Sequence, residues 1–290
     1  MKEDRVSSTA LTVLQGVIYT SQKEEFAHLV SAEMIDSCKK ILNSTKEGEK
    51  RLRQLDSKLF NRFVPIVEKL MLPGITLHYV LRKRYIEDFV REAIGRGFEQ
   101  IVNLGAGFDT LAYRLSQEFG WVEFIEIDHP ATQLHKQEVL IESSIDNLHL
   151  LSVDFSKQNL EDELNNFEKF DSSRRTIFIS EGVLMYLSEE HVKDLFDSLK
   201  NLTSSDMEFI FTFIEPMREN RDSYGVLLNL YLKIKNEHLF WDIKKSEVAP
   251  FLKSLNYKQQ VLIDSDKFKE MYLPNISATL HRGETIVVAK

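Results

Sequence analysis

The sequence predicts an α/β fold, in which helices cover both faces of a mostly parallel sheet. Three observations predict it. Five short apolar runs alternate with helical patterns between residues 100 and 214. The first run, 101–104, meets Gly105 and Gly107, as is typical of a buried strand that turns sharply into a helix. Two late strands, over 257–263 and 285–289, are compatible with an antiparallel end to the sheet.

The composition limits the classes of protein and partner. The chain has 290 residues, of which 43% are hydrophobic and 28% charged, as in an ordinary soluble globular protein. A formal net charge of −8 argues against nucleic acid or an anionic membrane as the main partner. The single cysteine, Cys38, is interpreted as a core or surface thiol. Because the N-terminus lacks the apolar core of a signal peptide, we expect a cytoplasmic protein, with its oligomeric state open.

Residues 1–80 predict a helical cap that precedes a sheet domain over 81–290. Apolar residues at helical spacing predict helices over 23–42 and 54–72, and Pro65 predicts a kink or break in the second. The charged stretch 46–53 is interpreted as a solvated helix or loop.

A strong break at Pro73-Gly74 separates the cap from an amphipathic helix predicted over 77–94. Three consecutive cations stand near the start of this helix: Arg82, Lys83 and Arg84. Either these side chains form a solvated basic face, or one of them is a cation that faces a carboxylate in the pocket.

Four more buried strands follow the glycine turn, and helices are predicted between them. The strands are predicted over 121–127, 148–153, 176–180 and 208–214. Helices are predicted over 131–141 and over 189–202, the second of them capped by Ser188.

Acidic residues at the carboxyl ends of the strands over 121–127, 148–153 and 176–180 are candidates for contacts to a ligand. Glu126 and Asp128 both suit ribose hydroxyls, about 20 residues after the glycine turn, and they share a strand face. Asp128 is preferred because it lies nearer the strand end. Asp154 and Phe155 suit the edge and face of an adenine ring, or equally an N-cap and a core aromatic. Glu181 needs a facing cation to be tolerated at a central strand end.

The C-terminal part begins with a helical insertion over about 217–245. Its stretch 224–234 is interpreted as ordinary core packing or as a cover for the pocket. A helix over 247–255 is predicted to be capped by Ser246 and ended by Asn256. We expect a loop between the last two strands.

Five separated motifs resemble the leucine carboxyl methyltransferase family, including its bacterial branch of S-adenosylmethionine-dependent O-methyltransferases. They are RKRYIED, NLGAGFDT, EIDHP, VDF and SEGVLMYL, at residues 82–88, 103–110, 126–130, 153–155 and 180–187. The resemblance implies a Rossmann-like S-adenosylmethionine-dependent methyltransferase fold, with a seven-stranded sheet whose last hairpin is antiparallel. It also implies S-adenosyl-L-methionine as the cofactor.

The resemblance further implies roles for individual residues. Arg82 would pair with the carboxylate of the cofactor's methionine portion, and Glu181 would meet its amino group. Tyr186 would border the substrate, so Arg82 and Tyr186 are the candidates for catalysis. The remaining cofactor-binding candidates are Gly105, Ala106 and Gly107 against the cofactor, Asp128 at the ribose, and Asp154 with Phe155 at the adenine.

The expected reaction is methyl transfer to a carboxylate or hydroxyl of a small molecule or a protein C-terminus. An ionised carboxylate needs no general base, whereas a hydroxyl does. His129, His135 and His191 lie nearest to the motifs in sequence, but none is a convincing base. No metal is expected, because the histidines show no ligand-type pairing.

Two other functions stay open. A nicotinamide-dependent oxidoreductase is disfavoured because Thr110 stands where a dinucleotide fingerprint has its third glycine. A catalytically silent cofactor-binding protein stays open because the N-terminal segment around Gly16 departs from the family pattern.

Overall fold

A computed structural model describes residues 8–140, 145–155, 157–217, 224–225, 227–228, 232 and 238–290. In these ranges the cap consists of four helices, and a fifth long helix follows it. They are α1 Ser8–Ser21, α2 Ala32–Asn43, α3 Lys46–Leu55, α4 Lys58–Met71 and α5 Ile75–Gly95.

The seven strands form one sheet with the order β3-β2-β1-β4-β5-β7-β6. They are β1 Gln100–Leu104, β2 Glu123–Asp128, β3 Leu148–Ser152, β4 Thr176–Ser180, β5 Met207–Ile214, β6 Gln259–Ile263 and β7 Glu284–Ala289. The first five strands are parallel, and β7 is antiparallel to both of its neighbours. The structure thus confirms the predicted α/β fold and its antiparallel end.

Helices cover both faces of the sheet. Those after the glycine turn are α6 Leu111–Glu118, α7 Pro130–Leu140, α8 Leu160–Asn165, α9 Glu189–Asn201, α10 Lys245–Ser254 and α11 Ser265–Tyr272. Successive strand residues face opposite sides, so Ile101 packs in one apolar core and Val102 in the other. The first core joins the sheet to α1, α2 and α5, and the second joins it to α8, α9 and α10. The cap thus packs on the sheet through α5, and the Ser44–His135 hydrogen bond also joins the end of α2 to α7.

Several predicted boundaries were wrong. The helix predicted over 23–42 begins only at Ala32, because the Ser31 side chain accepts a hydrogen bond from the Met34 N–H and caps it there. Of the two structures predicted for the charged stretch 46–53, a solvated helix or a loop, the helix is confirmed, because the stretch lies in α3. Strand β2 begins at Glu123, and Trp121 before it is largely exposed.

The C-terminal predictions need two corrections. Helix α10 begins at Lys245, and its N-cap residue Lys244 makes no side-chain cap, so Ser246 is not the cap. The expected loop between the last strands contains α11. Asn256 ends α10 as predicted, with a left-handed φ of 57°. The predicted stretch 224–234 lies outside the described residues except at 224, 225, 227, 228 and 232.

Among the described residues, no single helix is long and apolar enough to cross a bilayer. By length and composition alone, α4 and α5 pass that test as a pair, although they meet at an angle of 83°. Pro65 lies inside α4 without ending it.

The corner between α4 and α5 depends on Gly74. Its φ is +75°, and a Cβ there would lie 2.6 Å from the Leu280 backbone. We expect Gly74→Ala to lower the free energy of unfolding by about 2–4 kcal/mol, since both the backbone and the packing would be strained. Gly95 in α5 has no heavy atom within 4 Å of the same position, so Gly95→Ala should raise stability by about 0.5–1 kcal/mol. Urea unfolding of both variants measures this, and equal effects would contradict it.

Candidate functional site

The candidate site lies at the edge of the sheet where β1, β2 and β4 end. In open α/β sheets, ligands bind outside the carboxyl ends of the strands. Because β7 runs antiparallel to β5, its first residue, Glu284, pairs with Ile214 at the end of β5. The start of β7 therefore adds a carboxylate to this same edge.

The glycine turn after β1 has the conformation that its sequence predicts. Gly105 and Gly107 have φ values of 66° and 52°, which side chains rarely adopt. A Cβ on Gly105 would overlap the side chain of Val183. Ala106 between them is buried, and its N–H donates to the carbonyl of Ile127 at 3.1 Å. The turn is thus held closely between β2 and the segment after β4.

Asp128 lies at the end of β2, beside the glycine turn. Its Oδ2 accepts a hydrogen bond from the Gly107 N–H at 2.7 Å, and its Oδ1 accepts one from the His129 N–H at 2.7 Å. Burial raises the pKa of Asp128, and these hydrogen bonds only partly oppose the effect. The two acids that sequence alternation could not separate are therefore in different surroundings. Glu126 is wholly buried, and its carboxylate lies 2.5 Å from the Lys136 ammonium.

Arg82 of α5 is buried between two carboxylates. Its Nε lies 2.8 Å from Glu181 Oε1, and a terminal guanidinium nitrogen lies 2.7 Å from the same oxygen. The other terminal nitrogen donates to Glu284 Oε2 at 2.5 Å. Burial lowers the pKa of Arg82, but the two carboxylates outweigh burial and raise it. Glu181 thus has the facing cation that its position at a central strand end requires.

Lys83 extends this group of charges towards the glycine turn. Its Nζ donates to Asp109 Oδ1 at 3.0 Å and lies 3.2 Å from Glu181 Oε1. Burial raises the pKa of Asp109, but Lys83 and nearby cations outweigh burial and lower it to about 2. Arg84 instead pairs with Asp88 at 3.0 Å on the exposed side of α5. Two of the three clustered cations therefore point into the site, and one stays at the surface.

The Arg82 guanidinium keeps donors for a ligand. Its three contacts leave two of the five N–H groups of a guanidinium without a partner among the described residues. Gly182 has a φ of 69°, and a Cβ there would lie 3.9 Å from both terminal nitrogens of Arg82. Gly182 thus places no side chain between its backbone and these nitrogens.

The other predicted residues lie at the ends of neighbouring segments. Asp154 follows β3 and pairs with Lys157 at 2.9 Å, and its carboxylate is 4.0 Å from His129 Nε2. Phe155 exposes 38% of its surface beside it. Tyr186 closes the short 3-10 turn Leu184–Tyr186, four residues beyond Gly182, and exposes 39%. Both aromatic side chains are thus partly exposed.

Sequence reasoning assigned no role to three polar residues of this group, namely His78, Asp109 and Glu284. It named Lys83 only as one of three cations of which one could face a carboxylate in the pocket. Asp109 lies inside the NLGAGFDT motif, and His78 precedes Arg82 by one helical turn. The positions of these two residues in the sequence could therefore have indicated that they belong to the site. His78 Nε2 lies 3.0 Å from Glu284 Oε2. Glu284 could be found only from the antiparallel pairing of β7.

A family model described as leucine carboxyl methyltransferase matches residues 17–200. This range includes α5, the glycine turn, Asp128 and Glu181, and it leaves β7 with Glu284 outside.

Similar proteins with curated names are also described as methyltransferases. A Mycobacterium tuberculosis protein named as an S-adenosyl-L-methionine-dependent methyltransferase is 34% identical over 129 residues. The match covers 43% of this chain and 36% of that protein. A Mycobacterium bovis protein of the same name is 33% identical over 126 residues, which cover 42% of this chain and 38% of its own length. The chain thus matches little more than a third of these relatives' length.

Solved structures show a similar fold. A methyltransferase from Thermobifida fusca superposes with a TM-score of 0.59 at 14% identity, over 87% of this chain and 93% of that one. An O-methyltransferase from Nostoc punctiforme gives 0.50 at 11% identity, over 72% and 55% of the two chains. At these identities the likeness concerns the fold alone. With the family model matching well over half of its length, the chain belongs to the leucine carboxyl methyltransferase family.

Proposed function

We propose that this protein is an S-adenosylmethionine-dependent O-methyltransferase. Its acceptor would be a carboxylate or hydroxyl of a small molecule or a protein C-terminus. The observation that carries the proposal is the buried Arg82, held by Glu181 and Glu284 with two donors left in front of Gly182. A guanidinium with spare donors suits a carboxylate such as that of the cofactor's methionine portion.

The residues at this edge fit the two ends of such a cofactor. Arg82 and Glu181 supply opposite charges for its carboxylate and amino groups. Asp128 lies at the end of β2, where an acid suits ribose hydroxyls. Asp154 and Phe155 offer a carboxylate and an exposed aromatic face for the adenine. The glycine turn removes the side chains that would keep a ligand away from the backbone.

The bound cofactor supplies a methyl group activated by its positive sulfur. The protein then has to align the acceptor with that methyl group and exclude water. Such positioning suffices for a carboxylate acceptor, which is ionised at neutral pH.

Calorimetry tests the cofactor first. We expect S-adenosylmethionine and S-adenosylhomocysteine to bind the purified protein, and NAD not to bind. Binding of NAD without S-adenosylmethionine would favour the oxidoreductase and overturn the proposal.

Transfer is then tested by incubating the protein with S-adenosylmethionine labelled on the methyl group and a metabolite extract. A labelled product that releases methanol in mild base is an ester and identifies a carboxylate acceptor. A base-stable ether identifies a hydroxyl acceptor. Cofactor binding without any labelled product would favour the catalytically silent protein.

A further inference from the structure

The buried carboxylate of Glu284 is shared by two donors. Its Oε2 accepts hydrogen bonds from a terminal guanidinium nitrogen of Arg82 at 2.5 Å and from His78 Nε2 at 3.0 Å. Its Oε1 is buried and has no hydrogen-bond partner among the described residues. Burial raises the pKa of Glu284, but Arg82 and His78 outweigh burial and lower it. Because an ionised carboxylate can only accept, His78 Nε2 carries the proton of this contact.

The contact between Arg82 and Glu284 differs from the pairing that these groups frequently adopt. Arginine and a carboxylate often form two parallel hydrogen bonds, one to each oxygen. Arg96 and Glu208 of this chain pair in that way, with both nitrogen–oxygen distances at 2.7 Å. Glu284 instead offers Arg82 one oxygen, although in the described part of the chain its other oxygen and two N–H groups of Arg82 have no partner. The second bond is therefore absent for a reason other than a shortage of donors.

The fixed position of His78 accounts for this one-oxygen contact. The ring is wholly buried and meets the rings of Phe268 and His281 edge to face, each at a centroid distance of 5.6 Å. His78 precedes Arg82 by four residues, so both side chains leave the same face of α5. Two donors of one helix face thus converge on Glu284 Oε2. A turn of the carboxylate towards Arg82 alone would break the bond from His78 and leave a buried N–H group unpaired.

The carboxylate on the other side of Arg82 is held in a comparable way. Glu181 also presents one oxygen to the guanidinium, since Nε and a terminal nitrogen both contact its Oε1. Its Oε2 accepts a hydrogen bond from Lys83 Nζ at 3.3 Å. Each carboxylate beside Arg82 is therefore bound by a second donor and contacts the guanidinium through one oxygen. This arrangement leaves N–H groups of Arg82 for a ligand.

We propose that His78 is a positioning residue for cofactor binding: by holding Oε2 of Glu284, it prevents this carboxylate from taking a second N–H group of Arg82. The inference rests on the proposed function, in which the remaining N–H groups of Arg82 bind the carboxylate of S-adenosylmethionine. Without His78, Glu284 would turn so that both of its oxygens contact the guanidinium, as in the pair of Arg96 with Glu208. It would then compete with the cofactor's carboxylate for the same donors.

Calorimetry with two probes isolates the contact that His78 protects. S-adenosylmethionine carries the carboxylate, and decarboxylated S-adenosylmethionine lacks only that group. The wild-type chain should bind the first probe at least about tenfold more tightly, since a hydrogen bond to an ionised group is lost with the second. In His78→Leu this preference should fall below about threefold, while affinity for the decarboxylated probe stays within about twofold of the wild type. A general loss of packing would weaken the binding of both probes alike.

Two rescue variants distinguish positioning from packing. Glu284→Gln leaves one acceptor oxygen, so this side chain can no longer contact Arg82 through two oxygens. The His78→Leu/Glu284→Gln variant should therefore regain a preference of at least about tenfold. His78→Gln, whose amide can donate to Glu284 in place of Nε2, should keep the preference of the wild type. Thermal unfolding checks that each variant is folded, and His78→Met replaces His78→Leu if the latter does not fold.

His149→Leu is the matched control. His149 Nε2 lies 2.7 Å from Glu123 Oε2, so this histidine also contacts a glutamate. Glu123 begins β2, at the opposite end of that strand from Asp128. The replacement should leave the preference for S-adenosylmethionine over the decarboxylated probe unchanged.

The outcomes separate the inference from the proposed function. A wild-type preference that persists in His78→Leu, or that the double variant fails to regain, would overturn the role of His78 while the cofactor assignment stands. Equal affinity of the wild type for both probes would contradict the role of Arg82, and binding of neither probe would overturn the proposed function. Either of these two results would overturn the inference as well.

Discussion

Replacing Arg82 by methionine is expected to abolish detectable binding of S-adenosylmethionine and to destabilise the fold. Two buried carboxylates, Glu181 and Glu284, would lose their common partner. Removing one member of a buried ion pair lowers the free energy of unfolding by about 3–5 kcal/mol. The spare donors in front of Gly182 would be lost as well, so we expect cofactor affinity to fall by at least about a hundredfold. Calorimetry and urea unfolding measure the two effects.

Arg84→Met is the matched control for this substitution. Arg84 lies two residues further along α5 and forms an exposed pair with Asp88. Its loss should change stability by no more than about 0.5 kcal/mol and leave cofactor binding intact. Adding Glu284→Gln to Arg82→Met should restore part of the lost stability but none of the binding. An Arg82→Met protein that binds S-adenosylmethionine as tightly as the wild type would exclude the role proposed for Arg82.

The sheet could be predicted because each strand is a short apolar run bounded by turn residues. A strand that is buried on both faces has a nearly continuous apolar sequence, so such a run is readily assigned to the sheet. Helix α1 gave no comparable signal, since its Val13, Val17 and Ile18 are modest helix formers and Gly16 interrupts it. Packing stabilises it instead. A Cβ on Gly16 would lie 3.1 Å from the Tyr79 ring, so the glycine permits close approach to α5.

The candidate site could be predicted where its residues follow parallel strands, as Asp128 and Glu181 do. Lys83 and Arg84 are adjacent in sequence but differ in burial, and only the packing of α5 on the sheet decides which cation enters the site. Glu284 lies 202 positions beyond Arg82. Its place beside Arg82 depends on the reversed direction of β7, which a local sequence pattern does not contain.

Strand alternation could not choose between Glu126 and Asp128, but their surroundings predict that only mutation of Asp128 affects cofactor binding. Glu126 forms a wholly buried pair with Lys136, and its Oε1 has no hydrogen-bond partner in the described part of the chain. Asp128 contacts the glycine turn. We expect Asp128→Asn to weaken S-adenosylmethionine binding at least tenfold, because an amide keeps the shape but loses the charge that ribose hydroxyls contact. Glu126→Gln should leave that binding nearly unchanged in a calorimetric titration.

Lys136→Met is expected to have the largest effect on stability outside the site. It leaves the Glu126 carboxylate buried and unpaired, which should lower the free energy of unfolding by about 3–5 kcal/mol at pH 8. The loss should shrink as the pH falls. Burial already raises the pKa of Glu126 against the effect of Lys136, and without Lys136 it should rise further. The native state then binds a proton that the unfolded state releases, so stability increases towards lower pH.

The double variant Glu126→Leu/Lys136→Met separates charge from packing. Replacing a whole buried pair by apolar residues of similar volume is commonly neutral or stabilising. We therefore expect the double variant to recover most of the stability lost in Lys136→Met and to lose its pH dependence between pH 5 and 8, as measured by urea unfolding. If the double variant is as unstable as Lys136→Met at every pH, then Lys136 stabilises the fold through its packing rather than by neutralising Glu126. Because Asp128 follows two residues later on the same strand face, cofactor affinity in the double variant also reports whether the pair positions that acid.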